Sequence, residues 1–177
     1  MILARGRRLY KSMTLSPFHR SCWRVTTNPI QTLTLIHDEA SMKDNLAVGT
    51  KSTRRITIDK PRTIDFLGEE LRVYATPELV RDFETVCRDF LLSTVADRGE
   101  DSVGIGINVS HSGATLLGMN VELTITVSAV EGRKVTFSLF ARDDGEDISR
   151  GEHSRFVVEV EMLRSKVAAK ASKLLQK

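Results

Sequence analysis

Two side chains that can exchange protons, Glu84 and His111, lie at apolar faces of elements that the sequence predicts, and Thr76 precedes them. A carboxylate can act as a nucleophile or as a base. An imidazole, with an ordinary pKa of about 6.5, can transfer protons near neutral pH. Glu84 and His111 could therefore support acid–base chemistry if the fold brings them together.

His111 ends the apolar alternation of a predicted strand. In a regular strand its imidazole shares one face with four apolar side chains, Val109, Ile107, Ile105 and Val103. The small residues that follow, 112–115 ("SGAT"), leave room for a ligand beside the ring. The alternative is a core histidine whose ring is hydrogen-bonded to a backbone carbonyl. The residues around His153 and His19 offer no comparable setting.

Glu84 lies in the middle of a predicted amphipathic helix. At 100° per residue it falls about 20° beyond Leu91 and about 40° beyond Val80, at the margin of the apolar face. Arg88 follows four residues later, in the order that favours an ion pair on a helix surface. Glu84 could therefore be a site residue or one half of an ordinary surface pair.

The helix that carries Glu84 is predicted to begin at Thr76 and Pro77. A threonine hydroxyl can cap free backbone N–H groups, which is worth about 1 kcal/mol, and proline suits the first turn. Apolar residues then recur at spacings of three and four over roughly 18 residues, and the helix stops near Gly99. The recurring residues are Leu79, Phe83, Val86, Cys87, Phe90 and Leu91.

Strands are predicted on both sides of this helix. A short strand, residues 52–58, comes before it. After it the period changes to two, which predicts half-buried strands. These strands cover residues 103–111, 121–129, 135–141 and 148–161. The Ala-, Leu- and Lys-rich sequence from Met162 onward predicts a final helix.

One long helix and a four-stranded antiparallel meander can bury both apolar faces if the sheet curls around the helix. We therefore predict an α+β protein with the hotdog fold, an antiparallel sheet curled around one long central helix. Such a sheet leaves an edge strand that can pair with a second copy. We expect a homodimer or a higher homo-oligomer.

The basic residues are unevenly distributed along the chain. Residues 1–37 hold six of the 26 Lys and Arg residues and no Asp or Glu, which leaves 20 basic against 23 acidic residues in the remainder. A basic, acid-free segment interleaved with apolar residues is typical of mitochondrial targeting. We expect residues 1–41 to be a targeting segment that directs residues 42–177, the predicted domain, to the mitochondrial matrix. The alternative is a disordered basic tail on a cytoplasmic protein.

The composition excludes several other classes of protein. Apolar residues make up 41% and charged residues 28% of the chain, without an apolar run of the roughly 18 residues that a membrane span needs. The mildly acidic body gives no support for nucleic-acid binding. Cys22 and Cys87 lie far apart and outside any C-x-x-C motif. We expect no disulfide, no metal site and no cofactor.

From Met42 to the end, the sequence resembles the bacterial fluoroacetyl-CoA thioesterase family of hotdog hydrolases. The similar segments are "MKDNLAVG", "VYATPELVRDFE", "VGIGINVSHSGAT", "GMNVELTITVSAVEGRKVTF" and "SRGEHSRFVV". They keep the order and spacing of the family's threonine, glutamate, glycine, histidine and arginine. These five residues are Thr76, Glu84, Gly104, His111 and Arg155.

The resemblance implies hydrolysis of an acyl-CoA substrate to a free acid and CoA. It implies Glu84 as nucleophile or water-activating base, His111 as the proton-transferring group and Thr76 as an orienting group. Backbone N–H groups near Gly104 would meet the substrate oxyanion, and Arg155 would meet part of the CoA. Two alternatives remain open: a non-catalytic hotdog module that binds acyl-CoA, and a hotdog hydratase or dehydratase that acts on a double bond.

The predicted helix constrains how these residues can cooperate. Eight residues at 1.5 Å each put the backbones of Thr76 and Glu84 about 12 Å apart, too far for a direct hydrogen bond. Either the two residues contact opposite ends of the substrate, or residues from two subunits complete the site. Two features also differ from the family. The segment before Thr76 is shorter than the family's phenylalanine-bearing lid and holds a single phenylalanine, Phe66. Phe83 stands where relatives often carry methionine.

Overall fold

The computed structural model describes residues 46–175, which contain both predicted helices. Helix α1 is Thr76–Thr94, and helix α2 is Val160–Leu175. The predicted targeting segment, residues 1–41, lies outside the described residues.

Seven strands accompany these helices. Strand β1 precedes α1, a short β2–β3 pair leads into it, and four long strands follow it. The strands are β1 (Lys51–Thr57), β2 (Thr63–Ile64), β3 (Val73–Tyr74), β4 (Glu100–His111), β5 (Asn120–Glu131), β6 (Lys134–Asp143) and β7 (Asp147–Glu159). The predicted strands are therefore present, with ends that differ by a few residues.

The five long strands form one antiparallel sheet in the order β1-β5-β6-β7-β4. The predicted four-stranded meander is wrong at β4, which pairs with β7 and not with its neighbour in sequence, β5. Alternation shows which face of a strand is buried but does not specify its neighbour. β4 consequently lies at one edge of the sheet and β1 at the other.

Helix α1 packs against one face of this sheet and forms the core with it. Its fully buried residues include Leu79, Phe83 and Leu91, and the ring of Phe90 meets Phe137 of β6 edge to face at 5.9 Å between centroids. The apolar positions predicted for β5 and β6 lie in the same core. They include Val121, Leu123, Ile125, Val127, Val135, Phe137 and Leu139.

A β-bulge at Ile105 changes the faces that β4 presents. Gly104 pairs with Arg155 of β7, whereas Gly106 pairs with Ser154, so Ile105 has no partner of its own. Beyond the bulge, Ile107 pairs with His153 of β7, so the face that meets α1 changes from even to odd positions. The bulge therefore lets Gly104 and His111 share the α1 side, although seven residues separate them.

The bulge also corrects the prediction that one apolar stripe continues from Val103 to His111. Val103 pairs with Phe156, on the opposite face from the positions that meet α1, and the side chain of Ile105 is 53% exposed. Only Ile107 and Val109 share the face of His111. When apolar residues occupy both faces of a strand, the alternation of apolar and polar residues does not reveal an inserted residue.

The last helix, α2, contributes no buried side chain to the core. It follows β7 directly, and the N–H of Val160 donates to the carbonyl of Gly99 at the start of β4. Among residues 46–175, no helix is long and apolar enough to cross a membrane.

Candidate active site

Thr76 and His111 form the first part of the candidate site. Thr76 is the first residue of α1, and its Oγ1 lies 3.0 Å from Nδ1 of His111 at the end of β4. The prediction of a hydroxyl cap is wrong, because Ala75 occupies the N-cap position and α1 has no side-chain cap. The hydroxyl of Thr76 thus contacts the imidazole and is not used to satisfy the helix end.

The second ring nitrogen of His111 is buried without a partner. Its Nε2 makes no hydrogen bond to any of residues 46–175. Burial lowers the pKa of His111, because the charged imidazolium is poorly solvated there. The alternative of a core histidine satisfied by a carbonyl is therefore wrong for His111. A half-buried, neutral imidazole with one buried nitrogen that has no hydrogen-bond partner among these residues is suited to accept or deliver a proton.

A network of hydrogen bonds fixes the ring of Tyr74, the aromatic wall against which His111 packs. The ring of Tyr74 meets the imidazole edge to face at 5.8 Å between centroids. The Tyr74 hydroxyl donates to Asp82 Oδ2 at 2.8 Å, and Nε of Arg62 donates to the same oxygen at 2.9 Å. Asp82 is buried in α1, so the helix that carries Thr76 also fixes the aromatic wall of His111.

The small residues after His111 have a structural role that the sequence did not predict. A Cβ on Gly113 would lie 2.7 Å from Cγ2 of Ile148, so a side chain there would clash with β7. The N–H groups of Ser112 and Gly113 both donate to the carbonyl of Ile148, at 2.8 and 3.4 Å. Gly113 is thus small because Ile148 packs against it, and the space beside it is filled.

Glu84 forms the second part of the candidate site, farther along α1. Its side chain is 45% exposed, at the margin of the buried face as predicted. The predicted alternative, a surface pair with Arg88, is wrong because Arg88 donates to Asp101 of β4 at 2.8 Å. The carboxylate Oε1 of Glu84 instead lies 3.6 Å from Nη1 of Arg155.

Gly104 creates the space that the Glu84 carboxylate occupies. A Cβ at this position would collide with Oε1 of Glu84 and would lie 3.2 Å from Cε1 of His153. The glycine therefore permits the close approach of the Glu84 carboxylate to the backbone of β4. The sequence alone predicts only that backbone N–H groups near Gly104 contact the substrate.

Arg155 is placed differently from the expectation that it meets CoA. It is buried, and its Nε and Nη2 donate to Oγ and the carbonyl oxygen of Ser102, at 2.9 and 2.7 Å. Its Nη1 faces Glu84 and His153. Within the described residues the guanidinium thus supports Glu84 from the core side.

Sequence reasoning missed His153, which lies beside Glu84 and is 1% exposed. Its Nδ1 lies 2.9 Å from the carbonyl oxygen of Gly106, and its Nε2 lies 3.1 Å from Nη1 of Arg155. A signal was present, because steps of two back from apolar Val157 reach Arg155 and His153 on one face of β7.

The two parts are separate within one chain. Thr76 and His111 are joined, and Glu84, Gly104 and Arg155 are joined, but no hydrogen bond links Glu84 to His111 among the described residues. Along β4, Gly104 and His111 are about 23 Å apart at 3.3 Å per residue. Residues 46–175 contain no cluster of three His, Cys, Asp or Glu side chains that could hold a metal.

Comparison with known proteins identifies relatives of this chain. The model of the fluoroacetyl-CoA-specific thioesterase family matches residues 58–161. The fluoroacetyl-CoA thioesterase of Streptantibioticus cattleyicolor is 31% identical, and the match covers 73% of this chain and 97% of that protein.

Solved structures agree with this relationship. A phenylalanine-to-alanine variant of the fluoroacetyl-CoA-specific thioesterase FlK superposes with a TM-score of 0.67 at 30% identity, covering 72% of this chain and 99% of that one. A thioesterase superfamily member from Thermus thermophilus gives a TM-score of 0.67 at 21% identity, covering 76% and 99%. A hot-dog-like protein from Thermanaerovibrio acidaminovorans gives 0.63 at 23% identity, covering 71% and 93%.

The last two structures show the fold alone, and they confirm the predicted hotdog architecture. The family model covers more than half of this chain, and the relative from Streptantibioticus cattleyicolor exceeds 30% identity over most of it. The chain therefore belongs to the fluoroacetyl-CoA-specific thioesterase family of hotdog proteins.

Proposed function

We propose that this chain hydrolyses acyl-CoA thioesters to the free acid and CoA, with Glu84, His111 and Thr76 as its catalytic residues. It is a thioester hydrolase by family, and one observation supports these residues most strongly. The neutral imidazole of His111 contacts Thr76 through one nitrogen, while its other nitrogen is buried and makes no hydrogen bond within residues 46–175. An unpaired buried nitrogen is costly to stability, so a function that uses it is favoured.

Each residue has a defined task in this proposal. Glu84 attacks the thioester carbonyl or removes a proton from the attacking water. His111 transfers a proton through Nε2 to the departing thiolate or from the water, and Thr76 holds the imidazole by its Nδ1. A backbone N–H near Gly104 stabilises the oxyanion. The balanced reaction consumes one water and breaks the C–S bond, with the proton passing to sulfur.

Two copies of the chain are needed to bring these residues to one thioester. Glu84 lies beside Gly104, and His111 ends the same edge strand about 23 Å away. Antiparallel pairing of β4 with β4 of a second copy, centred on Asn108 and with the bulge at Ile105 in each strand, would place Gly104 of one copy opposite His111 of the other. The free edge of β4 and the exposed side chains of Ile105 and Ile107 support this homodimer.

Hydrolysis is tested by adding the purified protein to a panel of short- and medium-chain acyl-CoA thioesters and measuring free thiol. We expect thiol release at a rate proportional to enzyme. Binding without thiol release would support the non-catalytic acyl-CoA-binding module. A change in enoyl absorbance without thiol release would support the hydratase or dehydratase.

The related thioesterases are named for fluoroacetyl-CoA, but the segment before Thr76 differs in this chain. Its single phenylalanine, Phe66, is 85% exposed and does not pack into the core. We therefore expect acetyl-CoA and fluoroacetyl-CoA to be hydrolysed with similar kcat/KM. A strong preference for the fluorinated substrate, measured with both thioesters under identical conditions, would contradict this expectation.

For location, we propose import into the mitochondrial matrix directed by residues 1–41. The support is the sequence alone: six cations and no acidic residue in residues 1–37. A fusion of residues 1–41 to a fluorescent protein should accumulate in mitochondria. Fluorescence confined to the cytosol would contradict the proposal and favour a cytoplasmic enzyme.

A further inference from the structure

His153 lies behind Glu84 and has both ring nitrogens in contact with the protein. It projects from the middle of β7, almost fully buried, towards α1. Its Nε2 is 3.8 Å from Oε1 of Glu84 and 3.1 Å from Nη1 of Arg155. It does not reach the exposed side of the carboxylate, so its contacts are those of a group that acts through its neighbours.

The neighbours determine the protonation state of His153. The Gly106 carbonyl oxygen can only accept, so Nδ1 must carry the hydrogen of that 2.9 Å bond. A guanidinium can only donate, so Nε2 must present its lone pair to Arg155. Burial and the adjacent Arg155 also lower the pKa of His153. The imidazole is therefore neutral, with its proton on Nδ1, and its 3.8 Å approach to Glu84 is not an ion pair.

Arg155 depends on this lone pair for one of its three fixed contacts. Ser102 holds Nε and Nη2 from one side, and these bonds leave Nη1 as the atom closest to Glu84. Within residues 46–175, Nη1 also makes a long 3.4 Å contact with the main-chain oxygen of Glu84 and lies 3.6 Å from its Oε1. His153 therefore adds the contact that holds the Nη1 corner of the buried cation, the corner that faces the carboxylate. A guanidinium keeps its charge even when burial lowers its pKa.

We propose that His153 is a positioning residue for the hydrolysis, acting through Arg155 to hold the Glu84 carboxylate. The neutral ring accepts the Nη1–H of Arg155, and that guanidinium then stabilises Oε1 of Glu84 in the space above Gly104. The proposal rests on the proposed catalytic function of Glu84. The bulge at Ile105 belongs to the same device, because it turns the Gly106 carbonyl towards Nδ1 of His153.

Two conservative variants separate the two hydrogen bonds of His153. In His153→Gln, the longer side chain can place an oxygen where Nε2 was and accept from Arg155. In His153→Asn, the amide nitrogen can replace Nδ1 and donate to Gly106, but the side chain is too short to reach Arg155. His153→Leu removes both hydrogen bonds and fills the position with an apolar side chain of similar size.

We expect His153→Gln to keep kcat within about threefold, and His153→Asn and His153→Leu to lose between about tenfold and a hundredfold in kcat with little change in KM. Ile125→Ala, equally buried but in β5, is the control for lost packing and should retain kcat. Retained kcat in His153→Asn with loss in His153→Gln would overturn the proposal, because the bond to Gly106 alone would then matter.

A double-mutant cycle tests whether His153 acts through Arg155. In an Arg155→Met background, His153→Leu should lower kcat by less than about twofold further, because the guanidinium that it orients is gone. If the two substitutions multiply as independent effects, His153 does not work through Arg155 and the proposal fails.

A measurement on the wild-type protein does not depend on activity. Nitrogen-15 NMR of the histidine side chains at pH 7 should show His153 neutral with its hydrogen on Nδ1. A hydrogen on Nε2, or an imidazolium, would overturn the proposal even if the variants failed to fold. If the wild type releases no thiol from any acyl-CoA, the proposed function fails. If Glu84→Gln is inactive but His153→Leu is not, only the role of His153 fails.

Discussion

The two ends of the edge strand β4 carry the two parts of the candidate site, and they solve different electrostatic problems. At the His111 end the proposed reactive group is neutral: burial lowers its pKa, Thr76 holds Nδ1, and Tyr74 packs against the ring. At the Gly104 end the proposed reactive group is the partly exposed carboxylate of Glu84, which approaches the buried cation of Arg155.

The residues that hold His111 and Glu84 in place also differ in where they put charge. Tyr74 is fixed by the pair of Asp82 and Arg62, so charge is kept one layer away from His111. Arg155 is fixed by neutral partners, Ser102 and His153, so its charge is directed towards Glu84. A proton-transfer group needs a neutral form near pH 7, and the environment of His111 favours that form.

Removal of the reactive group at either end should have the largest effect. Glu84→Gln and His111→Ala should each lower kcat by about a thousandfold or more, because each loses a group that reacts in the proposed mechanism. Thiol release from acyl-CoA measures the loss, and far-ultraviolet circular dichroism checks the fold. Asp89→Asn, a similarly exposed carboxylate on α1, is the control for Glu84→Gln. Retained turnover in either variant would remove that residue from the mechanism.

The next effect concerns the space for Glu84. Gly104→Ala should lower kcat by about tenfold to a hundredfold, because the new Cβ collides with Oε1 and displaces the carboxylate. Gly106→Ala, two residues away, is the matched control, since its Cβ meets nothing within 4 Å. Equal losses in both variants would mean that the strand backbone, and not the carboxylate position, is what alanine disturbs.

A smaller effect is expected from pH, and it distinguishes the neutral end from the charged end. Since burial lowers the pKa of His111, kcat/KM should not change with pH around pH 7. It should fall only as the pH drops through a value below 6.5. The pH–rate profile of His153→Gln should keep this acid limb, which assigns it to His111. Activity that falls as pH rises above 6.5 would show that the imidazolium is the required form.

The smallest effect is expected from the wall behind His111. Tyr74→Phe keeps the ring but removes one hydrogen bond to the buried Asp82 carboxylate. Unfolding free energy should decrease by about 1–2 kcal/mol, and kcat by less than about tenfold, since Thr76 still holds His111. Thermal denaturation and steady-state kinetics measure the two effects. A loss in kcat as large as that of His111→Ala would place Tyr74 among the reacting groups.

Much of this molecule could be predicted from the sequence because it depends on local pattern. Helix α1 follows from apolar spacing after Thr76, and β5 and β6 follow from strict alternation. The marginal position of Glu84 could also be predicted, since helix geometry determines the face of each residue. The fold class followed because a single helix and an antiparallel sheet have few ways to bury their apolar faces.

The features that were not predicted depend on contacts between distant strands. The alternation of apolar and polar residues does not predict that β4 pairs with β7. It also does not predict the bulge at Ile105, which adds one residue between two glycines. His153 could not be assigned without the partner strand, because its role depends on meeting Arg155 and the Gly106 carbonyl in space. Arg155 was likewise assigned to the substrate, since a sequence does not show which cations are buried.

The central claim is that Glu84 of one copy and His111 of another act on the same thioester. Chains carrying Glu84→Gln and His111→Ala, each with a different affinity tag, can be co-expressed and the mixed dimer purified. One of its two sites then has both native residues, so we predict about half of the wild-type kcat per dimer, although each variant alone is inactive. A mixed dimer as inactive as its parents would show that each chain builds its own site.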